Sequence, residues 1–119
     1  MDRLRRKRDL EKVFEDGRRL YGAWVVAQVR KRGPDESVAT RTRVAVVANR
    51  KLGNAVKRNR AKRLLRETCR AAVGESGGPW DIILIARASI LSTPHADRVR
   101  ALSALFCEAG VLPGKAAIA

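Results

Sequence analysis

Apolar positions change their period several times along the 119-residue chain, and each change marks an element. Leu10, Val13 and Phe14 stand at i, i+3 and i+4 within residues 9–16, which predicts a short helix ended by Gly17. Residues 18–20 suit a short strand and AWVVAQVRK (23–31) a longer one, rich in Val and Trp. Alternation in the latter puts Trp24, Val26, Gln28 and Arg30 on one face, opposite Val25, Ala27 and Val29. RGPDES (32–37) has turn chemistry, and TRVAVVAN (42–49) reads as a strand buried on both faces in its middle. Arg50–Gly53 is a connector, and Asn54 is the expected N-cap of a helix running to about Val73. GESGGP (74–79) is a loop, and WDIILIAR (80–87) is the most strand-like stretch of all. Thr93 as N-cap and Pro94 at the first helical position open a last helix, which continues through Leu102, Leu105 and Phe106 to Gly110. Residues 113–119 read as a loose tail.

Strand, long helix and strand over 42–87 form a βαβ crossover, expected to be parallel. With a hairpin and two further helices, the pattern predicts an α+β fold: a two-layer α/β sandwich with about four strands in a mixed sheet and three helices. The length is that of one domain, 1–119.

Charge sharpens this outline. Hydrophobic residues make up 45% of the chain, enough for a folded core, yet the net charge is +14. That excess sits in two places. Residues 1–8 carry five cations against Asp2 and are expected to form a basic, flexible arm; residues 41–70 carry eleven against Glu67. Two basic patches on an otherwise neutral scaffold point to a polyanion, RNA or DNA ahead of an acidic membrane surface. The start runs straight into charge, unlike a secretory signal, and the longest apolar runs, Val44–Ala48 and Ile82–Ala86, are too short to span a bilayer. Cys69 and Cys107 read as reduced thiols of a cytoplasmic protein, and the single histidine, His95, leaves no zinc constellation.

The helix 55–73 is where the charge becomes informative. Ala61, Leu64, Leu65, Thr68, Cys69 and Ala72 fall within an arc of roughly 140° that faces the core. Arg58, Lys62 and Arg66 form one stripe outside it, flanked by Asn59, Arg63 and Arg70. A charged outer face is what any amphipathic helix shows, but a merely solvated face mixes signs. Here like charges four residues apart cost about 0.2–0.5 kcal/mol per pair. Lys57, Arg58 and Arg60 also crowd the first two turns, where the helix dipole disfavours each cation by roughly 0.3–1 kcal/mol. A phosphate at this end reverses both signs, because free N–H groups, dipole and side chains all attract it. Asn59 is the only amide on the face and no helix-turn-helix precedes it, so structured RNA read through its backbone fits better than a DNA groove.

Trp24 and Phe14 are either stacking platforms for single-stranded bases or core residues; taken singly, core is favoured for each. Chemistry-bearing groups are sparse. His95 reads as a surface residue at a helix start and Asp81 as structural, so no catalytic residues are expected in this chain.

The run RKLGNAVKRNRAKRLLRE (50–67) after RVAVVAN, with DLEKVFEDGRR (9–19) before it and WDIILIAR (80–87) after, resembles the RNR-motif family of bacterial ribonuclease P proteins. The resemblance implies a protein subunit of a ribonucleoprotein endoribonuclease, a hydrolase in which a catalytic RNA holds the magnesium ions and cleaves the 5′ leader from precursor tRNA. It implies a left-handed crossover at the basic helix, with Arg58, Asn59, Arg60, Lys62, Arg63 and Arg66 contacting the catalytic RNA. It also implies a cleft for the single-stranded leader, lined here by Leu10, Phe14, Gln28, Arg50 and Lys51. No metal site within the protein, no membrane and no obligate protein partner are expected. The chain departs from the family pattern at Leu10 and Gln28, where aromatics are usual, and at Ala45, where Gly is usual. Its Asn49-Arg50-Lys51 replaces Ser-Lys-Lys and keeps the charge. The alternative reading is a structural ribosomal-RNA-binding protein without a role in cleavage.

Overall fold

A computed structural model describes residues 2–33, 41–74 and 78–112. Its elements are β1 (Asp2–Arg3), α1 (Lys7–Asp16), β2 (Arg18–Tyr21), β3 (Val25–Lys31), β4 (Arg43–Val47), α2 (Ala55–Val73), β5 (Trp80–Ala86) and α3 (His95–Ala109). Short 3-10 turns, Arg50–Leu52 and Ala88–Ser92, precede α2 and α3. The strands form one mixed sheet in the order β1-β4-β5-β3-β2. β1 and β5 both run parallel to β4, while β3 is antiparallel to β5 and to β2. The α+β class and the parallel β4–α2–β5 unit are therefore as expected.

Three expectations need correction. The sheet has five strands rather than about four, and the extra one lies in the segment expected to be a flexible arm. Asp2 donates its N–H to the Thr42 carbonyl and Leu4 donates to that of Val44, both at 2.9 Å. Leu4 is buried with Val13 and Ile83, which anchors the segment through one apolar side chain. A two-residue strand has no periodicity to read, so charge alone misleads. The last helix starts one residue later than expected: Pro94 is the N-cap, and Thr93 turns its hydroxyl back to the Ser89 carbonyl at 2.7 Å. Trp24 lies outside β3 and does not share a face with Gln28; it is buried in the large core with Val25 and Ile90. The tail 113–119 and most of the turn 32–37 lie outside the described residues.

Alternation along the strands divides the sheet into two faces. One carries Val25, Ala27, Val29, Val44, Ile82 and Leu84 and is covered by α2 and α3, whose Leu65, Leu102 and Phe106 are fully buried. The other carries Ala45, Val47, Ile83 and Ile85 and is covered only in part, by α1 through Val13 and Leu10. Gly17 ends α1 because there is no room for a side chain. A Cβ there would stand 2.2 Å from the Val13 carbonyl oxygen, and the Gly17 N–H closes the last turn on that same oxygen at 2.8 Å.

Buried ions fix α1 across the sheet. Asp81, 1% exposed, accepts a two-point contact from Arg43 (2.8 and 2.7 Å) and a third bond from Arg32 at 2.5 Å. Arg43 reaches on to Asp9 of α1 at 3.2 Å. Hydrogen bonding to Asp81, with the charges of Asp81 and Asp9, raises the Arg43 pKa above its ordinary value against the opposing effect of burial.

Candidate nucleic-acid interface

The cationic helix is positioned by its first turn. Asn54 accepts the Lys57 N–H on its side-chain oxygen at 3.0 Å, the expected N-cap. Gly53, with φ at 144°, turns the chain out of the 3-10 turn into α2 through backbone space that other residues avoid. Ala61, Leu64, Leu65, Thr68, Cys69 and Val73 are buried beneath α2; Val73 takes the fully buried place expected of Ala72, which packs at the margin. Of the six residues expected to contact RNA, Asn59, Arg60 and Arg63 are exposed, and Arg58, Lys62 and Arg66 are half-buried. Arg63 approaches Glu67 at 3.9 Å, a loose surface pair of small energetic consequence. Arg58, Arg60, Lys62 and Arg66 make no ion pair among the described residues. Val56, 76% exposed in the first turn, adds an apolar contact point beside them that sequence periodicity did not single out.

The second surface follows from the register. Arg43, Asp81 and Arg30 stand side by side across β4, β5 and β3; the next row on that face is Ala45, Ile83, Gln28 and Arg19; the next is Val47, Ile85, Val26 and Tyr21. Asp9 meets Arg43 and Asp16 meets Arg30 (3.9 Å), so α1 lies crosswise over the first row. Its opposite flank, with Leu10 and Phe14, then faces the third row. Val47, Ile85 and Val26 are only half-buried, and Phe14 is 49% exposed. The result is a shallow groove with an apolar floor and Phe14 on one wall. Arg50 and Lys51, both exposed, follow β4 at its mouth.

Four of the five residues named for a leader cleft border this groove, and Gln28 differs. It lies on the same sheet face but is 5% exposed, with its side-chain oxygen lacking a hydrogen-bond partner among the described residues. Two residues that sequence reasoning missed, Arg19 and Tyr21, form the far edge of the groove. The Arg19 guanidinium lies 5.7 Å from the centre of the Tyr21 ring, and Tyr21 is 67% exposed. Their i, i+2 spacing was the one signal in the sequence, and the strand was expected to end at Leu20, before Tyr21.

Because β4 and β5 are parallel, α2 must run back against them, and its N-terminus lies at the sheet end where β4 finishes. The groove mouth and the cationic first turn thus share one end of the molecule, on opposite faces. Among the described residues no cluster of three or more His, Cys, Asp or Glu could hold a metal ion, and Asp9 and Asp81 are engaged with arginines. No helix of the described residues is long and apolar enough to cross a membrane.

An α+β sheet with a strongly cationic helix on one face and an apolar, cation-edged groove on the other has the surface of a polyanion-binding protein. Comparison with known proteins gives the family. Residues 1–110 match the Ribonuclease P family model. The ribonuclease P protein component of Symbiobacterium thermophilum is 36% identical over 92% of each chain. The ribonuclease P protein of Thermotoga maritima superposes with a TM-score of 0.71 at 29% identity, covering 88% of this chain and 94% of that one. The Staphylococcus aureus protein shares the fold, with a TM-score of 0.75 at 24% identity over 93% and 97%. The chain belongs to the family of bacterial ribonuclease P protein components, the protein subunits of that ribonucleoprotein endoribonuclease.

Proposed function

We propose that this chain binds the catalytic RNA of ribonuclease P through Arg58, Asn59, Arg60, Lys62, Arg63 and Arg66, and the 5′ leader of precursor tRNA along the groove of Phe14, Leu10, Arg50 and Lys51. The observation that carries this reading is the set Lys57, Arg58, Arg60 and Lys62 in the first turns of α2, which make no ion pair among the described residues; they lower the stability of the free helix and suit a phosphate backbone. The protein raises substrate affinity and supports the active RNA, in the cytoplasm; magnesium carried by the RNA supplies the chemistry of leader removal. This chain's own residues bind, neutralise phosphate charge and orient the leader.

Reconstitution tests it. At low magnesium, purified protein added to the catalytic RNA restores leader cleavage. Absence of stimulation, together with binding to ribosomal RNA instead, overturns the reading.

A further inference from the structure

The groove described above ends at an aromatic–cationic pair that the described residues leave largely uncovered, Tyr21 being 67% exposed. We propose that Tyr21 and Arg19, on the edge strand β2, form a base-stacking and phosphate-contacting subsite for single-stranded RNA. This inference rests on the leader-binding reading and names the residues that set affinity at the far end of that site.

Four observations converge. Register places Tyr21 in the same row as the half-buried floor residues Val26, Ile85 and Val47, on the face that α1 leaves open. Among the described residues only Phe14, Tyr21 and Val56 are large, apolar and exposed, and the first two flank this one groove. The Arg19 guanidinium lies 5.7 Å from the centre of the Tyr21 ring and makes no ion pair among the described residues. The groove is cationic at both ends, with Arg50 and Lys51 beyond β4 and Arg19 on β2, separated by three strand spacings or about 14 Å. An acidic backbone laid across the strands meets positive charge at each end and an aromatic wall near the second.

The chemistry of the floor explains why a platform is needed there. Gln28 is flat and buried, so it offers no ring to the groove. A stacked base needs a π-face, and Tyr21, one row further along the open face, supplies it with Arg19 placed for the adjoining phosphate.

The test measures affinity of the reconstituted holoenzyme for precursor tRNAs whose leaders are shortened one nucleotide at a time. Tyr21→Ala is expected to lose roughly five- to thirtyfold in affinity for the longer leaders and nothing for tRNA without a leader. Tyr21→Phe retains wild-type affinity, and Arg19→Ala shows a smaller loss that fades at high salt. Tyr21→Thr, which keeps the preference for a strand, behaves as Tyr21→Ala and separates stacking from edge-strand stability. Wild-type affinity that rises with leader length while Tyr21→Ala matches it throughout overturns the subsite and leaves leader binding standing. An equal loss on leaderless tRNA also overturns it. Wild-type affinity that is indifferent to the leader overturns the leader-binding reading, and the subsite with it.

Discussion

Cys69 lies wholly buried beneath α2, and burial pushes its thiol up to about 12 from 9.0. Cys107, on α3, is half-buried, and neither cysteine forms a disulfide among the described residues. A thiol reagent is expected to modify Cys107 in the native protein and Cys69 only on unfolding, which mass spectrometry of the labelled chain checks. The shift also has a sign in pH. The unfolded thiol ionises near 9.0 while the folded one keeps its proton to about 12, so this contribution to stability is complete below pH 9 and declines as pH rises towards 12. Urea midpoints are expected to fall more steeply between pH 9 and 11 in the wild type than in Cys69→Ala. At this scale the sequence was a mixed guide. The core arc of α2 was legible because five of its buried residues recur at helical spacing, and Trp24 is core as favoured, whereas the exposure of Phe14, also expected to be core, and the burial of Gln28 depended on what packs against each face. Tyr21 was missed because a four-residue strand shows too little alternation to say which side stays open.

Helix α2 is the element in which local rules and function disagree. Like charges and a cationic first turn together cost about 2–3 kcal/mol, set against a typical domain stability of roughly 5–15 kcal/mol. Arg58→Ala with Arg60→Ala is expected to weaken RNA binding by a filter or gel-shift assay while the urea midpoint holds or rises slightly. Unfolding of this double variant would show that the residues support the core. The turn that starts the helix is sensitive in the opposite direction. Gly53→Ala introduces a Cβ 2.8 Å from the Lys57 Cδ and holds alanine at a φ it disfavours, for a loss of about 1–3 kcal/mol by urea denaturation. Asp81→Asn leaves two arginines facing a neutral amide and is expected to cost about 3–5 kcal/mol in the same measurement. The long helices and central strands were readable from sequence because their periods persist for two turns or more. β1 was hidden, since its placement rests on Leu4 entering a cluster built by α1 and β5.

For the whole molecule, the +14 charge translates into salt dependence. If about six phosphates are neutralised on binding, log affinity falls against log salt with a slope of roughly −4 to −5, measurable by titration at several ionic strengths. A slope near zero overturns the electrostatic account. The parallel β4–α2–β5 unit was legible from its alternating pattern, but the relation between the two surfaces emerged only from register and strand order. Only the seven residues 48–54, the turn Arg50–Leu52 among them, separate β4 in the groove floor from the cationic helix. So short a link gives the two surfaces a constant offset. On the proposed reading the protein is in effect a caliper: RNA bound at one jaw stands at a constant distance from RNA bound at the other, and the sheet between them sets the gauge.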